Sequence, residues 1–402
     1  MSDPNDVVVV SVARTPFGKF GGVLRDVPAI ELGVTAVQGA LSRCSLSRQD
    51  VDELALGCCI PSEADGAASV VARQVMLESG IPADRPSVTI DRACCSALAA
   101  CGWSWRSLKL GQVRISMAGG TENMSRAPHI VRGFRWGVRL GPVEIQDPLF
   151  PLAYSRYTPV ALDAGQVAVE YGVDRSMQDQ WALRSQQLYE QAKEAGKMKD
   201  EIVPVSYTTK SGREIYLDAD EFPKPNTTIE KLSSLPTVYD SPTVTAGNAP
   251  GLDAGAAACV LTTRHHAEEL GLSPLAVLRL VVNRCEEPNR IAAVPATVIS
   301  LALEKSGWSL DDLDLIEINE AFAAMPLVSS QILADGEGPR CERLRERINV
   351  NGGAIAIGHP IGASGARILM TLILELRRRG GGRGAAAICG GLAQGECALV
   401  EV

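Results

Sequence analysis

The chain has 402 residues, 46% hydrophobic and 21% charged, which excludes a disordered chain and allows two or three packed lobes. Its net charge of −8 argues against a nucleic-acid footprint, although a local basic patch can still hold a phosphate-rich ligand. Aromatic residues are scarce at 4% and glycine is abundant at 38 residues, a texture of close backbone packing and tight turns.

Met1 to Asp6 is polar and acidic, without the basic and apolar regions of a signal peptide. No apolar run reaches the length of a membrane span, and the terminal Leu-Val-Glu-Val is no address signal. The 11 cysteines lack framework spacing, so reduced thiols in a cytoplasmic protein are expected. Adjacent pairs such as Cys58-Cys59 and Cys94-Cys95 suit one metal poorly, and no zinc spacing is present.

The elements alternate along the chain. Val7–Val12 is a β-branched strand, and Ile30–Leu41 a helix. Leu54–Leu56 starts another strand. Val88–Ile90 is a strand running into Asp91-Arg92-Ala93-Cys94, followed by a helix to about Leu110 and a strand over Val113–Ala118 ending in Gly119-Gly120. The class is α/β. The second half repeats this order: Ala40-Leu41, Asp50-Val51-Asp52, Leu54 and Leu56 match Ala302-Leu303, Asp312-Leu313-Asp314, Ile316 and Ile318 at one constant offset. Ile115–Ala118 with Gly119-Gly120 matches Ala386–Cys389 with Gly390-Gly391 at a larger offset, explained by an insertion around Asp335–Arg347. Chance similarity of common α/β patterns is the weaker account. The organisation predicted is an N-terminal half over 1–121, completed by about 253–273, an inserted loop domain over 122–252, and a C-terminal half over 274–402. The insert is expected to carry an amphipathic helix over Ser176–Lys193 and a hairpin turn at Lys210–Arg213.

Several residues could carry chemistry. Cys94 sits where a strand turns into a helix, and a helix amino terminus lowers a thiol pKa; an inert core cysteine is the alternative. Of four histidines, His265-His266 belong to a polar helix start, and His129 is ambiguous. His359 lies in Asn351-Gly352-Gly353-Ala354-Ile355-Ala356-Ile357-Gly358-His359-Pro360-Ile361-Gly362-Ala363-Ser364-Gly365-Ala366-Arg367, where glycines permit close approach of a ligand. That run lacks the Gly-Lys-Ser/Thr of a Walker loop and the Gly-x-Gly-x-x-Gly of a dinucleotide site, which disfavours a nucleotide-binding oxidoreductase. Asn319-Glu320 and Cys389 each end a strand, the edge where α/β sheets place ligands.

Together these motifs resemble the thiolase family over nearly the whole chain. The resemblance rests on Val12-Ala13-Arg14-Thr15-Pro16-Phe17-Gly18, Ala118-Gly119-Gly120-Thr121-Glu122-Asn123-Met124-Ser125, Thr245-Ala246-Gly247-Asn248, the Asn319 motif and above all the His359 stretch. It implies two duplicated βαβαβαββ halves in a layered α-β-α-β-α core with an inserted loop domain. It implies reversible Claisen condensation or thiolytic cleavage of a 3-ketoacyl-CoA, with coenzyme A and acyl-CoA as substrates and no metal or redox cofactor. Cys94 is the implied nucleophile, His359 its base and Cys389 the acid/base at the substrate α-carbon. Asn319, through a water, joins His359 in one oxyanion hole, and the N–H groups of Cys94 and Gly391 form the other. Ala246, Gly247, Pro250, Ala321 and Phe322 fall on the acyl-CoA side. A homodimer or homotetramer is expected, with no nucleic-acid or membrane partner.

The chain departs from the family pattern in places. Cys94-Cys95-Ser96-Ala97 stands for Cys-Gly-Ser-Gly, which makes Cys95 a rival thiol, and Asp91 replaces an asparagine. Thr158-Pro159-Val160-Ala161-Leu162-Asp163-Ala164-Gly165-Gln166 replaces His-Met-Gly-Thr-Thr-Ala-Glu-Asn; Pro250 replaces a serine and Leu235 an arginine. An altered acyl pocket is expected. Two alternatives remain: a thiolase-like subunit that binds acyl-CoA and needs a partner protein, and a ketoacyl-synthase-type condensing enzyme, which the second cysteine, Cys389, argues against.

Overall fold

A computed structural model describes residues 3–61, 69–154 and 156–402; Met1 and Ser2, part of the polar amino-terminal stretch, lie outside them. Strand β1 (Val7–Arg14) is buried along its whole length. Val7, Val9 and Val12 enter one apolar cluster, and Val8, Val10 and Ala13 another. That is the period-two alternation of a strand covered on both faces, stepped once where the register shifts between Val9 and Ser11.

Next come α1 (Ala29–Ser42), β2 (Glu53–Gly57), α2 (Val71–Glu78), β3 (Ser87–Ile90), α3 (Ser96–Lys109) and β4 (Ile115–Asn123). The predicted strand ending at Gly119-Gly120 runs on to Asn123, because its neighbour pairs with it as far as Asn123↔Ala254. Among the described residues, 124–253 adds nothing to the main sheet. It holds α4 (Val160–Glu170), α5 (Arg175–Glu194), the hairpin of β5 (Val205–Thr208) and β6 (Glu214–Leu217) around the predicted turn, and α6 (Ile229–Ser233). The chain continues through β7 (Ala254–Thr263), α7 (Arg264–Glu269), β8 (Ala276–Cys285), α8 (Val294–Ser306) and β9 (Leu315–Ile318). Helices α9 (Ala324–Leu333), α10 (Gly338–Glu346), α11 (Ala354–Ile357) and α12 (Ser364–Arg378) lead to β10 (Arg383–Gly390) and β11 (Gln394–Glu401).

Nine strands form one sheet in the order β3-β2-β4-β7-β1-β8-β11-β10-β9. From its centre outward the order is β1-β7-β4-β2-β3 on one side and β8-β11-β10-β9 on the other, the same chain order twice except that, among the described residues, β3 has no counterpart in the second half. β2 is parallel to β3 and β4, and β9 to β10; the remaining pairs are antiparallel. One apolar cluster packs α1 and α2 on the first half, a second packs α8 and α9 on the other, and a third encloses α3 and α12 between them. This is the α/β layering expected. The two glycine pairs matched in sequence do not share a register, however. Leu56 pairs with Gly119, whereas its counterpart Ile318 pairs with Ala387. β10 therefore runs past the end of β9 and carries Cys389 beyond it.

Candidate active site

The carboxyl ends of the parallel strands of both halves converge on one place. Cys94 lies in the turn between β3 and α3. Ala93 before it has φ 49°, a left-handed conformation uncommon outside glycine. The turn is braced locally: the Ala93 N–H donates to Asp91 Oδ1 at 3.0 Å, the Arg92 N–H to Ser96 Oγ at 2.8 Å, and Ser96 Oγ to the Ala93 carbonyl at 2.6 Å. Cys95 points the other way, fully buried, with its thiol toward the Ile388 carbonyl at 3.5 Å. The rival thiol therefore faces the core.

His359 comes from the glycine-rich loop before α12. Its Nε2 stands 3.2 Å from Cys94 Sγ, and its Nδ1 stands 2.6 Å from Ser364 Oγ. Ser364 Oγ donates to the Pro360 carbonyl at 3.0 Å, so it accepts from Nδ1–H. This network assigns the neutral tautomer, with the Nε2 lone pair toward the thiol. Burial and then the nearby Arg367 push the imidazole down to about 3. Burial, with a smaller contribution from Glu122, pushes the Cys94 thiol up to about 12. The sequence expectation of a thiol acidified by a helix terminus is thus wrong for the resting protein. α3 begins only at Ser96, and desolvation outweighs the helix end.

Asn319 follows β9. Its Nδ2 lies 3.5 Å from His359 Nε2, and its Oδ1 accepts from buried Arg367 at 3.4 Å, so the cation fixes which way the amide faces. Glu317 pairs with the same guanidinium at 3.4 Å. Cys389 is fully buried, its thiol raised by desolvation and then by Cys94. Gly391 follows in the turn toward β11.

Bare backbone brings these loops together. A Cβ on Gly120 would collide with the Gly362 carbonyl oxygen, and one on Gly57 would lie 2.7 Å from that same oxygen. The buried Glu122 carboxylate accepts N–H groups from Cys59, Ile60 and Gly362 at 2.9, 3.1 and 3.0 Å, tying the two halves. Asp253 holds the His359 N–H at 2.9 Å. Glu320 accepts from Trp181, Ser185, Asn349 and the Ile355 N–H, docking α5 under the Asn319 loop.

The sequence reading missed Ser364, Arg367, Asp253 and the half-buried thiol of Cys59, which lies 3.1 Å from the Ala93 carbonyl. Ser364 and Arg367 lie five and eight residues past His359 in the quoted stretch, so their side of the loop was the available signal. Of the residues assigned to the acyl-CoA side, Ala246 and Gly247 line a cleft of about 470 Å³. Pro250 is half-buried, while Ala321 and Phe322 are buried in the core; none of the three lines that cleft.

A thiol, a neutral imidazole, an oriented amide and a second buried thiol are gathered at one edge of the α/β scaffold. Models of the thiolase N-terminal and C-terminal domains match residues 7–265 and 272–402. The chain is 40% identical over 401 residues to an acetyl-CoA acetyltransferase of Cupriavidus necator, covering 98% of this chain and 99% of that protein. The crystal structure of human mitochondrial 3-ketoacyl-CoA thiolase superposes with a TM-score of 0.92 at 37% identity, covering 100% of both chains. That human enzyme in complex with CoA gives 0.91 at 36%, covering 99% of this chain and 98% of that one. The chain belongs to the thiolase family and is an acyl-CoA C-acyltransferase.

Proposed function

We propose that Cys94 carries the acyl group and that the chain makes or cleaves the carbon–carbon bond of a 3-ketoacyl-CoA in two half-reactions. The observation that carries this reading is the 3.2 Å approach of Cys94 Sγ to a His359 Nε2 whose other nitrogen is committed to Ser364. In the first half-reaction the thiol proton passes to Nε2 as sulfur attacks the thioester carbonyl, and then to the departing CoA thiolate. The N–H groups of Cys94 and Gly391 hold the oxyanion. In the condensing direction Cys389 gives its proton to His359 and its thiolate removes the α-proton of a second acyl-CoA. The imidazolium N–H and Asn319, through a water, hold the enolate oxygen. The enolate carbon attacks acyl-Cys94, and the released Cys94 thiolate recovers the proton from His359. Every proton is accounted for without a metal.

The 470 Å³ cleft supports a pantetheine-and-nucleotide site: Leu232, Leu235, Ala246 and Gly247 wall it, and Lys224 and Lys231 line it where phosphates need cations. The human relative solved with CoA supports the same assignment. We assign the inserted loop domain to 122–252 between halves at 1–121 with 253–273 and 274–402. A homodimer or homotetramer is supported by β3, an edge strand with one unpaired side, and by the exposed Phe134, Trp136, Leu140, Ile145 and Phe150. All 11 cysteines are free, which suits the cytoplasm, and among the described residues no helix is long and apolar enough to cross a membrane.

Radiolabelled acetyl-CoA, quenched and digested, should leave its label on the Cys94 peptide. Label on Cys59 or Cys95 ends this assignment.

A further inference from the structure

We propose that Tyr154 is a catalytic residue, whose phenol O–H donates to the carbonyl oxygen of the acyl group on Cys94 beside the N–H groups of Cys94 and Gly391. The inference rests on the acyl-Cys94 reading above. Tyr154 belongs to the segment preceding 158–166, where the chain departs from its family. Its ring is 40% exposed, but the hydroxyl points inward and covers the bare face of Gly391. A Cβ on Gly391 would collide with Tyr154 Oη and Cζ, and would lie 2.6 Å from Cε2. The phenol thus stands where a side chain at 391 would begin, beside the residue whose N–H is assigned above to the oxyanion.

The hydroxyl is drawn out of water but has no protein partner. Tyr189, in contrast, donates its hydroxyl to Asp220 at 2.9 Å. Among the described residues Tyr154 Oη makes no hydrogen bond, so its donor is uncommitted. An acyl oxygen arriving on Cys94 is an acceptor the resting site lacks. Burial, then Cys94, Cys59, Asp91 and Cys389, raises the phenol above its ordinary range, so it stays a protonated donor. Cys94 and Cys389 are both within electrostatic reach of the phenol. The backbone behind it is held, with the Tyr157 N–H on the Tyr154 carbonyl at 2.9 Å and the Val160 N–H on the Leu152 carbonyl at 3.2 Å. Leu152 adopts φ 60°, a strained conformation two residues before the phenol.

The test is Tyr154→Phe in the full chain, which keeps the ring and removes the donor. Quenched-flow labelling with acetyl-CoA should show acylation of Cys94 and thiolysis of acyl-Cys94 each slowed about 10- to 100-fold, since one such donor is typically worth ~10²–10³ and here shares its load. KM should stay within about twofold. Wild-type rates in the Phe variant would overturn the proposal. So would a change of accepted chain length in Tyr154→Ala alone, which would make the ring a wall. Active wild-type protein with no label on Cys94 would instead sink the acyl-cysteine reading, and this inference with it.

Discussion

The two halves of the sheet are built alike and employed differently. In the first half, β2 ends in Gly57 and β4 passes through Gly120, and their backbones press against the Gly362 carbonyl and leave no room for a Cβ. In the second, Asn319 directly follows β9 and Cys389 is the last residue but one of β10. The β3–α3 turn of the first half brings Cys94 directly after a strained residue, Ala93, and the loop after β2 brings Cys59 to the Ala93 carbonyl. On the reading proposed above, one copy of the unit supplies a nucleophile in a close-fitting backbone cradle, and the other supplies the acid–base set. The scaffold allows this because both halves of the one sheet present the carboxyl ends of parallel strands to a shared edge.

The largest expected effect tests which thiol of the first half is the nucleophile. Cys94→Ser should lower kcat about 10⁴-fold or more, as loss of a nucleophile does. Cys95→Ser, with its side chain in the core, should retain label on Cys94; quantitative thiolysis assays and peptide mass analysis separate the two. Loss of label in the Cys95 variant alone would reverse the assignment. Next in size is Asn319→Ala, expected to cost ~10²–10³ in kcat, with a modest fall in the unfolding midpoint because Arg367 loses an acceptor. Its counterpart Gly57→Ala should behave the opposite way. The new Cβ meets the Ala97 nitrogen at 2.6 Å and the Gly362 oxygen at 2.7 Å, both backbone atoms that cannot swing aside. Stability should fall by roughly 1–3 kcal/mol in urea unfolding. Equal effects of the two substitutions would break the division of labour.

Much of this was legible in the chain. Hydrophobic runs located β1, β2 and α1 because burial on both faces leaves few polar interruptions, and the repeated spacing exposed the duplication. Cys94, His359, Asn319 and Cys389 could be picked out because glycine and strand-end positions carry recognisable residue types. The register of β10 was not legible. Gly390-Gly391 resembles Gly119-Gly120 as text, yet pairing depends on where β9 stops. The sign of the Cys94 shift was also hidden. A helix amino terminus is a local feature, whereas desolvation comes from loops hundreds of residues away. Tyr154 gave no signal, since nothing in its neighbourhood reveals that its hydroxyl lands on Gly391.

The smallest expected effect probes the junction of the halves through pH. His359 is lowered from 6.5 to about 3, and Cys94 is raised from 9.0 to about 12, each chiefly by burial. Both partners are therefore neutral when folded. Below pH 6.5 the unfolded chain binds a proton that folded His359 refuses, so stability falls as pH drops toward about 3. Above pH 9 the unfolded chain releases a proton that folded Cys94 keeps, so stability falls as pH rises toward about 12. Asp253 and Glu317, raised by burial to about 7 and about 8, add a loss of stability with rising pH from the acid side. Only the difference between variant and wild type isolates the pair. Relative to wild type, His359→Gln should gain stability as pH falls from 6.5, and Cys94→Ala as pH rises above 9, read from urea midpoints across that range. A resting thiolate–imidazolium pair would hold the same number of protons and give the same midpoints. The tautomer is therefore read from ultraviolet thiolate absorbance at neutral pH, which should not differ between wild type and Cys94→Ala. A difference would mean that the resting pair is charged. Proton transfer would then precede the arrival of substrate instead of accompanying attack on the thioester.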